Sequence, residues 1–223
     1  MKLLQGAWQV LGSVLRKAQR VIGWISTFAF KLSSVAVVIL ALLTVEQVIS
    51  RYLFSSGSVA LQELEWHLFA VIFLLSIPFT LQKDKHVRVD IFYHRFSEKT
   101  KALVDLAALI FFVIPASLLI VWAGTEFVKE ALSFQNPRAF DYYTAQYFSK
   151  GSFFYGFFST VEGVIRRWVL VGEISPDPAG LEGRWIVKAL IPLSFLILFF
   201  ESLRLIGQKI KVLRSSFKEK RCQ

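Results

Sequence analysis

Four apolar stretches, separated by loops whose Lys and Arg content rises and falls in alternation, constrain this chain more than any other feature. They run roughly over Leu32–Ile49, Trp66–Leu81, Leu103–Val128 and Trp185–Leu203. A helix needs about 20 mostly apolar residues to cross the hydrocarbon of a bilayer. Every backbone polar group must be satisfied inside such a segment, so in a chain this short each run is expected to be a helix. With 223 residues, 55% of them hydrophobic, little is left over for a soluble domain. One membrane domain is expected over 1–223. Its parts are an amphipathic segment (1–27), helices one to three (28–128), a long segment (129–184), helix four (185–208) and a basic tail (209–223).

The formal net charge of +10 would suggest nucleic acid in a soluble protein, but the positions of the charges argue otherwise. Residues 1–31 carry Lys2, Arg16, Lys17, Arg20 and Lys31 and no acid. The 83–101 loop adds Lys83, Lys85, Arg88, Arg95, Lys99 and Lys101, and from Arg204 onward seven bases face Glu219 alone. The 51–66 connection has only Arg51, and in 126–188 seven bases are balanced by seven acids. Short cytoplasmic loops are rich in Lys and Arg, so both termini and the 83–101 loop are expected inside, with four crossings. The excess then reads as topology plus contact with anionic lipid head groups. No basic run has the fold context that nucleic-acid binding requires.

The first thirty residues lack the short apolar core and small-residue cleavage site of a secretory leader. Trp8, Leu11, Leu15, Ala18, Ile22 and Ile25 recur at helical spacing, with Arg16, Lys17 and Arg20 largely on the other side. A helix of this kind lies in the membrane surface; the plainer alternative is that it lengthens the first crossing. In 129–184 the apolar run Gly151–Val161 is about half the length needed to span. Lys150, Glu162, Arg166 and Arg167 interrupt its surroundings, and a fifth crossing would place the basic tail outside. A periplasmic-side amphipathic helix, packed on the bilayer or on a partner, is the preferred expectation. Pro115 is expected to kink the third crossing.

No glycine-rich phosphate loop, zinc spacing or nucleophile elbow occurs, so no catalytic site, metal or cofactor is expected. The lone Cys222 cannot form an internal disulfide; tail palmitoylation is open, an incidental cysteine the simpler reading. His67 is the one histidine in a crossing, whereas a membrane haem usually takes two axial imidazoles. A respiratory membrane anchor therefore remains as an alternative, if a partner supplies the second ligand. A lipid-binding regulator is a third reading, resting on the N-terminal helix. The ionisable residues of the crossings, Glu46, Arg51, Glu63, Glu65 and Glu201, all lie near helix ends. Their expected role is structural pairing, with Arg51 meeting Glu63 or Glu65 across the short turn. A transport ion site belongs near the midplane at broken helices, and no charge falls there.

In this order the features resemble a known family, the small integral membrane (DctQ-type) subunit of a tripartite ATP-independent periplasmic (TRAP) transporter. The matching elements are Arg51-Tyr52-Leu53-Phe54 after the first helix and Glu63-Leu64-Glu65-Trp66 opening the second. Lys85-His86-Val87-Arg88-Val89-Asp90 is similar to the family's cytoplasmic turn, and Arg184-Trp185-Ile186-Val187-Lys188 leads into the last helix. The resemblance covers roughly 28–208; the 129–172 insert exceeds the minimal pattern, and a leucine separates the two glutamates. It implies a scaffold that is not an enzyme, pairing with a large membrane subunit that moves an organic acid with coupling ions. A periplasmic substrate-binding protein would deliver that acid. It nominates Arg51, Glu63, Glu65, His86, Asp90, Arg184 and Lys188 as interface or structural residues. Asp90 is expected to cap the following helix or pair with Arg88.

Overall fold

The computed structural model describes residues 2–83 and 96–219, with side chains for 17–83 and 96–213. The expectations that fall on His86 and Asp90 lie outside these residues. Among the described residues every regular element is helical: α1 (Lys2–Phe54), α2 (Val59–Gln82), α3 (Glu98–Ala108), a π-helical turn (Leu109–Val113), α4 (Ile114–Ser133), α5 (Thr144–Tyr147), α6 (Phe153–Trp168) and α7 (Trp185–Glu219).

Four segments are long and apolar enough to cross a membrane: Lys17–Phe54, Val59–Gln82, Glu98–Ser133 and Trp185–Leu213. They contain the four apolar runs and extend past most of their ends. The N-terminal segment continues into the first crossing without a break, so α1 is one helix about 80 Å long at 1.5 Å per residue. By the same measure α6, at 16 residues, is about 24 Å long, and charged residues in its last turn set it apart from the spans.

Helix α1 packs along α2, α2 and α4 each pack along α7, and α3 also lies on α7. The buried apolar core is small: Leu81, Leu109 and Leu198, with Ile77, Val113, Phe195, Leu205 and Ile206 against it. Most of the large apolar side chains along the spans face outward. Small residues fill the seams, among them Ser26, Ala29, Ser33, Ala36, Ser117, Ala131, Ser194 and Ser202, all buried. In hydrocarbon there is no hydrophobic gain in hiding leucine from lipid, so close backbone approach and interhelical hydrogen bonds hold such helices together. Gly124 shows the tolerance: a Cβ there would stand 3.0 Å from Cδ of Pro192 on α7.

Prolines set the irregularities. Pro78, inside α2, cannot bond the Leu74 carbonyl one turn back, and the Ser194 hydroxyl of α7 donates to that oxygen instead. Pro115 follows the π-helical turn, where Ile114 N–H reaches back to the Leu109 carbonyl. The Ser117 hydroxyl serves the Val113 and Ile114 carbonyls around it. Where a kink is expected from Pro115 the chain forms a π-helical turn just before it, a feature that often accompanies bends in helices.

One end of the bundle holds the start of α1, the end of α2, the start of α3 and the long C-terminal part of α7; we call it the tail end. Among the described residues several of its polar contacts link helices. Glu201, fully buried, binds the Arg204 guanidinium (Nε 2.8 Å) and the Ser26 hydroxyl. Lys209 bonds Asp105, and Gln82 donates to the Gly23 carbonyl at 3.1 Å.

Candidate functional site: the clasp at the loop end

At the other end, segment 134–184 must close over the bundle with only two short helices of its own, α5 and α6. Its remaining backbone groups need partners, and Glu63 and Glu162 accept from the N–H groups of Leu181, Tyr143 and Thr144.

Glu63 holds the first anchor point. The Ser175 hydroxyl donates to one of its oxygens (2.5 Å) and the Leu181 N–H to the other (2.7 Å). The loop closes on itself around this carboxylate. Ser175 N–H bonds the Leu181 carbonyl at 3.0 Å, and Asp177 N–H bonds the Ser175 hydroxyl at 3.1 Å. Gly180 fits because a Cβ would stand 2.8 Å from Glu63 Oε2. The expected Arg51–Glu63 pair therefore does not form. Both oxygens of Glu63 are taken by the 175–181 loop, while Arg51 is exposed in the last turn of α1, where a cation suits the helix dipole. Glu65 does not replace it: its Oε1 is buried without a hydrogen-bond partner, as is Gln47 Oε1 on α1. Ser58 caps α2, which begins at Val59, so both glutamates stand in the second turn, past most of the dipole's reach.

Glu173 holds the second. Its N–H bonds the Ala131 carbonyl at the end of α4 (2.8 Å). Its carboxylate takes Lys188 and, at 3.6 Å, Arg184, both in or beside the first turn of α7. Lys188 also lies 4.0 Å over the Phe127 ring of α4. Of the nominated residues, Glu63, Arg184 and Lys188 thus come together around the 173–181 loop. Arg51 and Glu65 stay outside the clasp.

The third anchor was not among those nominated. Glu182 accepts from Arg138 Nη1 (2.6 Å), Arg166 Nη1 (2.8 Å) and Asn136 Nδ2 (2.9 Å). Arg166 Nε donates to Glu162 (2.9 Å), one helical turn away on α6. Glu162 in turn accepts from the N–H groups of Tyr143 and Thr144 and from the Thr144 hydroxyl, at 2.7 to 2.9 Å. The side chains of Arg166 and Glu182 are 3% and 2% exposed. Two arginines and two glutamates make the group neutral. Burial pushes the carboxyls up, but the hydrogen bonds from Thr144, Tyr143 and Arg166 outweigh it and bring Glu162 to about 2. Glu182 is likewise held below the usual range, burial being outweighed by Arg138, Asn136 and Arg166. The i,i+4 spacing of Glu162 and Arg166 is a readable signal for that pair. Nothing local signals that Arg138 and Glu182, 44 positions apart, would meet.

Helix α6 is inverted relative to a helix in water. Its polar side, Glu162 and Arg166, faces the protein, and its apolar side faces out, with Phe153 84% and Trp168 72% exposed. Trp185 Nε1–H donates to the Val169 carbonyl (2.9 Å), tying the end of α6 to the start of α7.

A bundle of four membrane-length helices, clasped at one end by a folded segment, defines an all-helical multi-pass membrane protein. Residues 40–148 match the family model described as Tripartite ATP-independent periplasmic transporters, DctQ component. That match takes in just under half of the chain and supports a DctQ-type small subunit of a TRAP transporter, a multi-pass component of the inner membrane. The matched family implies association with a large membrane subunit and a binding protein. The matched span runs from the middle of α1 to α5 and leaves out α6 and the three carboxylates Glu162, Glu173 and Glu182. No curated protein matches the chain.

Proposed function

We propose that this chain braces the large membrane subunit of a TRAP-type secondary transporter during ion-coupled uptake of an organic acid delivered by a periplasmic binding protein. In this reading it is a non-catalytic scaffold. Both termini and the 83–101 loop lie in the cytoplasm, and the clasped end faces the periplasm. The observation that carries it is the clasp itself: Glu63 fixes segment 134–184 to α2, Glu173 fixes it to α4 and α7, and the buried Arg166–Glu182 pair ties the segment to itself. A moving transport element needs bistable packing or broken helices around a site; a brace needs the opposite.

Arg51 and Glu65, which the clasp leaves aside, are the natural contacts for the large subunit. An exposed guanidinium and a buried, unfilled carboxylate oxygen each lack a partner within the described residues. The respiratory-anchor alternative is not favoured by the family match.

The test is gentle affinity purification of the tagged chain from native membranes, with stoichiometric partners identified by mass. A large many-helix membrane protein at equal ratio is the expected result. Recovery alone, or with a flavin or iron–sulfur subunit, would overturn the reading.

A further inference from the structure

Between the end of α4 and the end of α6 lies an open cavity of about 480 Å³, within the size range of ligand sites. We propose that it binds the phosphate of an acidic phospholipid, with Arg167 as its cation and the acyl chains laid along the outward face of α6. This inference rests on the membrane-subunit reading above and adds a lipid site at the end of the molecule opposite the basic tails.

Three observations carry it. The first is charge. Asn136, Arg138, Arg166 and Arg167 form the polar wall, and no Asp or Glu lines the cavity. Arg138 and Arg166 are neutralised from behind by Glu182 and Glu162. Arg167 is exposed and has no ion pair among the described residues. The cavity thus carries one uncompensated positive charge, suited to a monoanionic headgroup, for which a guanidinium fork is a strong donor.

The second is depth. The membrane-length helices of α4 and α7 end at Ser133 and begin at Trp185; Leu132 and Ser133 line the cavity, and Trp185 bonds the carbonyl of Val169, next to the lining residue Leu170. Headgroup phosphates lie where apolar spans stop and tryptophans gather. The third is continuity. Phe140 and Leu170 also line the cavity, and Trp168, beside Arg167, belongs to the exposed apolar face that continues through Val164 and Phe157 to Phe153. A helix with such a face buries it in the acyl boundary. A free anion would leave this apolar surface unused; an amphiphile uses it and the polar wall.

The test uses the full chain with the membrane partner it holds. The complex is placed in discs of phosphatidylcholine with or without phosphatidylglycerol, and retained lipid is counted by native mass spectrometry. Wild type is expected to retain phosphatidylglycerol through delipidation. Arg167→Gln should retain about tenfold less, the loss of one charge-assisted hydrogen bond, and Arg167→Lys should recover part of it. All three should melt alike in phosphatidylcholine alone, since Arg167 is outside the clasp. Equal retention by Arg167→Gln would overturn the site. So would inorganic phosphate raising the melting temperature in detergent as much as phosphatidylglycerol does, which would mark a free-anion site. A complex that never enters phosphatidylcholine discs would instead contradict the membrane-subunit reading, a result distinct from entering them and ignoring phosphatidylglycerol.

Discussion

The two ends of the bundle solve opposite problems. At the tail end the described backbone is almost all helical and largely satisfies itself, and described polar side chains meet between or along helices. Glu201 has Arg204 and Ser26, and Lys209 has Asp105. At the loop end the 51 residues of 134–184 must fold with two short helices, and three carboxylates each take more than one donor from elsewhere in the sequence. Buried charge is costly wherever it sits. The chain concentrates it where irregular backbone leaves donors to be filled. The helical end therefore tolerates change group by group, whereas the clasped end should fail as a unit.

The largest effect is expected from Glu182→Gln, which leaves Arg138 and Arg166 buried against a neutral amide. Breaking a buried pair this way costs about 3–5 kcal/mol. Thermal unfolding should show it, and Lys209→Ala at the tail end, which removes a partly exposed pair, should cost far less. Next comes Glu63→Ala. It strands the Ser175 hydroxyl and the Leu181 N–H and should cost about 2 kcal/mol, read as faster hydrogen exchange at Leu181 with the Gln82–Gly23 contact unchanged.

Acid should sharpen the contrast. Glu162 titrates at about 2 in the folded chain against an ordinary 4.5. The stability it contributes is complete above about pH 4.5 and is lost as pH falls toward about 2. Protease sensitivity of segment 134–184 should rise across that window, and Glu162→Gln should remove part of the dependence, the rest belonging to Glu182, which is also held low.

Ser194→Ala probes the helix interior away from both ends. It withdraws the donor that serves the carbonyl freed by Pro78 and should cost about 1 kcal/mol, measured by thermal unfolding. The smallest effect on the isolated chain belongs to Arg51→Ala, within about 0.5 kcal/mol. If Arg51 contacts the large subunit, the loss should appear in complex stability rather than in substrate affinity.

How far the sequence could be read follows from where each signal lies. The spans were legible because their physics is local: an apolar run of membrane length has one backbone solution. The same holds for α6, whose interrupted apolar run is too short to cross, and for the irregularity at Pro115. Glu63 was legible as a residue with a structural task, but its partner was not. The short turn made Arg51 the near neighbour, and only the folded segment brings Ser175 and Leu181, 112 and 118 positions away, onto it. Glu182 gave no signal, because an acid in a balanced loop looks solvated until the arginines that bury it are in place. The inversion of α6 was half legible: the periodicity marks two faces, and only the ion network shows that the polar one turns inward.

The most direct test of the clasp is hydrogen–deuterium exchange on the complex in native-like lipid, comparing wild type with Glu182→Gln. Residues 136–182 should exchange slowly in wild type and quickly in the variant, with the tail end alike in both. Rapid exchange across 136–182 in wild type, or a slowly exchanging segment in the variant, would contradict a clasp built on buried charge.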